Sequence, residues 1–273
     1  MEPKSYTNDL LVKTSNLCNI IIRNIFCGVY TGHWQGCLAV NRLLYILKAG
    51  SRPSRIAFGD FSCALEPGVW LFIPALQTVR HDQEDGLTLM SIHVNAELYS
   101  RLELFSSGAR VLCGHAPEMR EAFCAFLDRK ADFGNAFSLH GLLWQFLADK
   151  ILPQIASPEH LLNRYRGFSS LLETMGKNPY NNLTVNEMAS IMNMGRESFV
   201  KHFAAETGES PKAFFNRMRA SAAARELGDP ALSISEVAAR FGFPNVFYFS
   251  RFFKRHLGTS PAIYRKQLAL APQ

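Results

Sequence analysis

The stretch LSISEVAARFGFPNVFYFSRFFKRHLGTSPAIY, residues 232 to 264, contains two helix patterns separated by a break at Gly242-Phe243-Pro244. Residues three and four apart share one face of a helix. In the second pattern such a spacing places apolar side chains on one stripe, which is typical of a helix packed on a core: Phe249, Phe252, Phe253 and Leu257. The basic residues fall beside or outside the stripe. Taken alone, the stretch also fits an ordinary core helix with a solvated basic flank.

An internal repeat decides between these interpretations. Residues 183 to 214, LTVNEMASIMNMGRESFVKHFAAETGESPKAF, run parallel to the opening stretch, with one extra residue in the second copy near Pro244. Each copy opens with a capping box, Thr184 with Glu187 and Ser233 with Glu236, which predicts the start of a short helix. Each helix then breaks and restarts, which predicts two helix-turn-helix units.

A helix between the copies is predicted to join these units. Ser210-Pro211 supplies a cap and a first turn, and the helical pattern stops at Gly228-Asp229-Pro230. A helix of about 17 residues spans about 26 Å. With the widths of the two units added, it would separate two recognition helices by a distance close to the length of one DNA turn, about 34 Å.

The charge of the chain is distributed unevenly. From residue 164 onward there are 15 Lys and Arg against 8 Asp and Glu, whereas residues 1 to 163 have 14 against 15. A basic half joined to a neutral half indicates a polyanion-binding module attached to another module.

Residues 165 to 268 resemble the DNA-binding domain of the AraC/XylS family of bacterial transcription regulators, most clearly in the run ISEVAARFGFPNVFYFSRFFKRHLGTSPAIYRK. The resemblance implies a seven-helix domain whose two recognition helices, about 196 to 206 and 246 to 257, enter successive major-groove segments. The partner would be double-stranded promoter or operator DNA, with RNA polymerase as a protein partner. The chain departs from many members in having Glu197 and Val200, and Val246 and Phe247, where a small polar residue is common.

Matching by position assigns base-reading roles to six residues: Glu197, Val200 and Lys201 in the first helix, and Val246, Phe247 and Arg251 in the second. Arg and Lys suit guanine, Glu accepts from cytosine, and Val or Phe contacts a thymine methyl group. Two alternatives stay open, since Phe247 also suits packing and Glu197 also suits the positive end of the helix dipole.

Five further residues are expected to contact phosphate and to position the protein without reading sequence: His202, Lys254, Arg255, Arg265 and Lys266. Arg219, in the connecting helix, matches a position where the family usually has Arg, and we expect it to be structural or to anchor the backbone.

The first half is predicted to be a small β-sandwich or barrel, because residues 15 to 100 form short β-rich runs broken by Gly and Pro. The run LEPGVWLFIPALQTVRHDQEDGLTLMSIHV resembles the cupin-like sensory domain that precedes the DNA-binding domain in many members of the family. The expected fold is therefore α+β in two domains. A cupin-like domain with helices at 1–155 and a linker at 156–164 would precede an all-α tandem helix-turn-helix domain at 165–273.

Enzymatic cupins need a metal, and the sequence does not show the ligand set. His81 and His93 stand without an H-x-H partner, so no metal and no cofactor are expected and the protein is predicted not to be an enzyme. A ligand pocket inside a barrel is predicted instead. Four residues are candidates for its lining: Trp34, Arg42, Arg52 and Trp70.

Two helices are predicted after the β-rich part, in residues 117–131 and 137–155. Leu139, Leu142, Leu143, Phe146 and Ile151 form one stripe, which suits either packing on the barrel or self-association as a homodimer.

The remaining features place the protein in the cytoplasm. No apolar run approaches the length of about 18 residues of a membrane span, and the first 16 residues lack a secretion-signal pattern. The six cysteines lie in the first half without metal spacing, which indicates reduced thiols, with a thiol-based sensor as the alternative.

Together these features predict a sequence-specific transcription regulator controlled by a small-molecule effector or by dimerisation. Two alternatives stay open, namely a metal-dependent cupin enzyme with a DNA-binding appendage and a nonspecific nucleoid-type DNA binder.

Overall fold

The structure, a computed structural model, describes residues 18–58, 61–75, 77–98, 102–105, 110–127, 132–154 and 164–270. The first half is built on an antiparallel sheet, as the β-rich composition predicts. Its strands are β1 (Cys18–Cys37), β2 (Asn41–Lys48), β3 (Arg55–Phe58), β4 (Phe61–Ala64), β5 (Val69–Ile73), β6 (Thr78–Leu98), β7 (Leu102–Glu103) and β8 (Leu112–His115).

These strands form one sheet in the order β4-β3-β6-β2-β5-β8, with β1 and β7 also paired to β6. Within the described residues these pairings do not close a ring, so the barrel geometry expected from the sequence is not found. Two helices cover one face of the sheet, where a closed barrel would have further strands. These are α1 (Met119–Leu127), within the predicted segment 117–131, and α2 (Phe133–Phe146), which begins four residues before the second predicted segment, 137–155.

Two strands are much longer than the expected short runs. β1 has 20 residues and β6 has 21, and they pair from Cys18 opposite Leu98 to Cys37 opposite Thr78. The prediction of uniformly short strands was wrong because the polar, Gly-containing segments around 32–36 and 78–86 suggest turns. They extend as strands because each segment pairs with the other.

The two faces of the sheet bury different cores. Alternate residues of a strand point to opposite faces, and β6 places Met90, Ile92 and Val94 in the core shared with α1 and α2. Leu87 and Leu89, on the opposite face, join a second apolar core. The α2 stripe of Leu139, Leu142, Leu143 and Phe146, with Ile151 beyond it, packs on the first core, so the packing alternative for this stripe is confirmed.

Beyond α2 the chain continues as a π-helical turn over Leu147–Ile151 and a 3₁₀ turn over Leu152–Gln154. Of the predicted linker at 156–164, only Arg164 lies among the described residues.

Seven helices lie between Ser169 and Leu270, which agrees with the number that the family resemblance implies. They are α3 (Ser169–Lys177), α4 (Val185–Ile191), α5 (Arg196–Thr207), α6 (Pro211–Glu226), α7 (Ile234–Arg240), α8 (Val246–Leu257) and α9 (Pro261–Leu270). None of the helices in the described ranges is long and apolar enough to cross a membrane.

The sheet and the C-terminal helices contact each other directly. The amide of Ala39 donates a buried hydrogen bond of 2.8 Å to the hydroxyl of Tyr264 in α9. Ala39 also packs in the apolar cluster of α6 to α9, and Leu268 of α9 packs against the second core of the sheet.

Candidate nucleic-acid interface

The first helix-turn-helix unit consists of α4, a turn and α5. The predicted capping box is present: Thr184 accepts from the amide of Glu187, and the Glu187 carboxylate accepts from the amide of Thr184 at 2.7 Å. Phe199 and Phe203 of α5 are fully buried, and their helix ends at Gly208, whose φ of 80° is the left-handed conformation that glycine adopts readily. The core contacts of α5 are therefore made mainly by one side of the helix, and its other side faces solvent.

The second unit repeats this arrangement with α7, a turn and α8. Ser233 and Glu236 form the second capping box, and Asn245 caps α8 by accepting from two amides of its first turn at 3.0 and 3.1 Å. Phe249 and Phe253 are fully buried. The predicted division of the opening stretch into a buried aromatic stripe and an exposed basic side is confirmed.

A buried arginine joins the two units through α6. Arg219 is only 4% exposed, and its Nε donates to the carbonyl of Pro179, which precedes α4, at 2.9 Å. One terminal nitrogen donates to the carbonyl of Phe241, in the turn of the second unit, and the guanidinium lies 5.4 Å from the ring of Phe243. Arg219 therefore has a structural role, as the sequence suggested.

The six predicted base-reading residues fall into two groups. Glu197, Lys201, Phe247 and Arg251 are exposed, and the Arg251 guanidinium lies 5.8 Å from the centre of the Phe247 ring. Val200 and Val246 are half-buried and pack against the cores of their own units. The exposed group lies on the recognition helices away from the cores, and its base-reading roles stay predictions.

The predicted phosphate contacts are also placed unequally. His202, Lys254, Arg255 and Lys266 are exposed. Arg265 is half-buried and its Nε donates to the carbonyl of Leu227 at 3.2 Å.

Tyr248, which sequence reasoning missed, is 54% exposed beside Phe247. It lies in an aromatic-rich run, so composition alone suggests that it is buried with the neighbouring rings. Its position one residue before Phe249, and off the buried stripe, is the signal that could have identified it.

A cavity of about 470 Å³ lies between the sheet and the C-terminal helices. Arg23 and His93 line it from the sheet, and Arg225, Arg265 and Leu268 line it from the helical side. Its basic side chains and apolar walls suit a small amphiphilic or anionic molecule.

His93 is the most unusual group in this cavity. It is 7% exposed, lies opposite Arg42 in β2 and Asn24 in β1, and its Nε2 has no hydrogen-bond partner among the described residues. Burial, and then the charge of Arg42, lower the pKa of His93 to about 4. The imidazole is therefore neutral near pH 7 and offers an unused polar atom.

A half-buried carboxylate, that of Glu103, lies next to this region. Glu103 accepts from the side-chain amides of Asn41 and Asn95 at 2.7 Å each, and Asn95 accepts from Arg23 at 3.0 Å. Burial raises the pKa of Glu103, against the opposing effect of these hydrogen bonds.

Of the four predicted pocket residues, none is among those that line this cavity. Trp70 packs in the apolar core against Phe146, Arg52 is exposed, and Arg42 lies on β2 beside His93. The side chain of Trp34 lies outside the described residues.

Neither metal chemistry nor thiolate chemistry gains support from the described residues. They contain no group of three or more His, Cys, Asp or Glu side chains placed to hold a metal; the His81 side chain lies outside them. Burial and a hydrogen bond with Cys113 raise the pKa of Cys63 to about 12, and burial raises that of Cys27. A raised pKa disfavours the thiolate that a redox sensor needs.

Comparison with known proteins supports the helical module. Residues 188–267 match the family model described as a helix-turn-helix domain. The HTH-type transcriptional regulator MtrA of Neisseria gonorrhoeae is 32% identical over 97 residues, which cover 36% of this chain and 32% of MtrA. The chain spans about a third of the length of the first curated relatives that it matches.

Solved structures of ToxT from Vibrio cholerae strain SCE256 share the two-domain fold. An apo ToxT variant has a TM-score of 0.55 at 11% identity, with 91% of this chain and 97% of ToxT covered. ToxT with a bound unsaturated fatty acid has a TM-score of 0.51 at 12% identity, with 93% and 97% covered. With its two complete helix-turn-helix units and its regulator relatives, the C-terminal module is a helix-turn-helix domain of the AraC type.

Proposed function

We propose that the chain is a transcription regulator that binds specific double-stranded DNA through α5 and α8. The observation that carries the proposal is that both recognition helices bury their aromatic stripe and keep a polar, basic side exposed. Lys201 on α5 and Arg251 on α8 occupy equivalent positions in the repeat, and both are exposed. Each suits a guanine edge in the major groove.

The surrounding charge supports the same function. Residues 164 to 273 carry 15 basic against 8 acidic residues, and the exposed Lys254, Arg255 and Lys266 are available to phosphates. Phosphate contacts provide affinity and orientation, whereas side chains on the recognition helices provide specificity. Such a protein works in the cytoplasm at a promoter, where RNA polymerase is its expected protein partner.

Selection of bound duplexes from a random pool tests this function. The full chain should enrich a motif with two half-sites about one DNA turn apart. Arg251→Ala should weaken the preference in one half-site and Lys201→Ala in the other. Recovery of no motif would favour a nonspecific nucleoid-type binder and would contradict the proposal.

We further propose that the cavity between the sheet and the helices binds a small effector. The unpartnered Nε2 of His93 supports this proposal, together with the terminal nitrogen of Arg265 that has no partner among the described residues. A ligand with an acidic head group and an apolar chain would satisfy both groups and contact Leu268. The β-sheet first half would then be the sensory part of the regulator.

An unsaturated fatty acid is the first probe, because ToxT with this fold has been crystallised with one. A long-chain fatty acid should raise the melting temperature of the full chain, and the alcohol of equal length should do so less. His93→Ala should abolish the response, whereas Arg52→Ala, a change at an exposed residue outside the cavity lining, should keep it. An equal response of wild type and His93→Ala would contradict this location.

A homodimer is also proposed, formed by the outer side of α2. The inner stripe of α2 is covered by its own sheet, while Phe137 and Trp144 are 64% and 39% exposed. Sedimentation of wild type and Trp144→Ala should show a dimer that the substitution weakens. A monomeric wild type at high micromolar concentration would refute it.

A further inference from the structure

Two aromatic rings at the start of α8 are exposed although the helix already has a complete buried face. Phe247 is 64% exposed and Tyr248 is 54% exposed. Phe249, Phe253 and Leu257 make the contacts with the core. Packing of the helix therefore does not explain the two rings.

The rings form one surface with a cation. Their centroids are 6.0 Å apart with an interplanar angle of 81°, an edge-to-face arrangement. The Arg251 guanidinium, one turn further along α8, lies 5.8 Å from the centre of the Phe247 ring. We define this surface, Phe247, Tyr248 and Arg251, as the aromatic reading face.

The first recognition helix has no such surface. In the repeat, Phe247 and Tyr248 correspond to Glu197 and Ser198, which are exposed polar residues at the start of α5. The two helices are alike in their buried residues and differ in the residues that face outward. The two helices therefore present different chemical groups to a ligand, polar on α5 and aromatic on α8.

The only apolar group that a base edge presents in the major groove of unmodified DNA is the C5-methyl group of thymine. Residues at the start of a recognition helix are those that contact base edges. Resting on the function proposed above, we propose that Phe247 and Tyr248 read thymine methyl groups in the α8 half-site, while Arg251 reads a neighbouring guanine. The α5 half-site is read through polar contacts and does not depend on methyl groups.

Replacement of thymine by uracil tests the proposal, because it removes the methyl group and keeps the base pair. In a duplex selected by the full chain, uracil in the α8 half-site should weaken binding about fourfold for each methyl group contacted, since burial of one such carbon contributes about that factor. Uracil in the α5 half-site should leave affinity unchanged. The proposal would be overturned if the duplex with uracil in the α8 half-site bound as tightly as the unsubstituted duplex.

Variants assign the effect to the rings. Phe247→Ala should lose part of the preference for thymine over uracil, and the double variant Phe247→Ala/Tyr248→Ala should bind the two duplexes with similar affinity. Tyr248→Phe, which keeps the ring, should still distinguish them as wild type does. Ile263→Ala is the matched control, because Ile263 is an apolar residue of α9 that is also 54% exposed, and it should behave as wild type. Thermal unfolding of each variant, expected to match wild type, shows that the exposed positions do not affect folding.

Three outcomes would contradict the inference in distinguishable ways. If the full chain selects no motif, the proposed function and this inference fail together. If it selects a motif but uracil has no effect, only the inference fails. If Phe247→Ala keeps its affinity and its response to uracil but loses transcription with RNA polymerase in vitro, the rings contact the polymerase instead of DNA.

Discussion

Substitution of Arg219 by Met tests how the two helix-turn-helix units are held together. Methionine keeps much of the length and apolar character of the side chain and removes every donor. Arg219 lies in α6 and donates to carbonyls on both sides, that of Pro179 before the first unit and that of Phe241 within the second. The substitution leaves these carbonyls without their donor in a buried site.

The expected cost follows from these two bonds. A buried acceptor that loses its donor costs about 1 to 3 kcal/mol, and hydrogen bonds to charged donors lie toward the upper end. Burial of the guanidinium lowers the pKa of Arg219, so its desolvation offsets part of the gain. We therefore expect Arg219→Met to lower the free energy of unfolding by about 3 kcal/mol.

Urea denaturation of the full chain measures this change, and Arg217→Met is the matched control. Arg217 lies in the same helix and forms an ion pair with Glu209 and a ring contact with Phe214, both near the start of α6. Its replacement should cost about 1 kcal/mol. Affinity should be measured for duplexes with both half-sites and with one.

Arg219→Met should lose affinity for the two-site duplex more than for either single site, because the spacing between α5 and α8 is no longer fixed. A loss of stability below about 1 kcal/mol, equal to that of the control, would refute the assigned role of Arg219. Parallel losses on all three duplexes would show that it stabilises the fold without setting the spacing.

Further expectations concern α8 and the cavity. Phe253→Ala should cost about 3 to 5 kcal/mol of stability, and a normal urea midpoint would contradict the buried position. Arg251→Ala should lose about 1 to 3 kcal/mol on the cognate duplex and less on a scrambled one, whereas Lys254→Ala should weaken both alike and reduce the salt slope by about one; equal losses for Arg251→Ala would make it a phosphate contact. The pKa of His93 is about 4 in the folded protein and 6.5 in the unfolded chain. The free energy of unfolding should therefore fall by about 3 kcal/mol as the pH is lowered from about 6.5 to about 4. His93→Gln should flatten that dependence, and an unchanged pH profile would contradict it.

The helical module was predictable from sequence because its signals are local. Capping boxes and the Ser-Pro start at residue 210 define helix ends within a few residues, and the repeat supplied each signal twice. The predicted second recognition helix, 246 to 257, matches α8 at both ends. The roles of Val200 and Val246 were harder to predict, because a small rotation of the helix decides whether such a residue faces the core.

The first half was less predictable because its contacts are non-local. β1 and β6 are paired over nearly their whole lengths although they lie 40 or more residues apart along the chain, and the Gly residues within them suggest turns when seen alone. The cavity combines residues as distant as Arg23 and Leu268. No periodicity within either segment reveals that they meet, and Arg42, Arg52 and Trp70, chosen as pocket candidates from sequence, are not among the residues that line it.

Tyr264 marks a difference between the two copies of the repeat. Its counterpart is Phe214, and the two rings are placed alike: Phe214 packs edge-on against Phe203 at 5.4 Å, and Tyr264 against Phe253 at 5.5 Å. The chemical difference is one oxygen atom, and that atom accepts the hydrogen bond from Ala39 that links the second copy to the sheet. One hydroxyl group thus couples the second copy to the sheet, and because the same ring packs against Phe253, a displacement of the sheet at Ala39 would be felt in the core of α8.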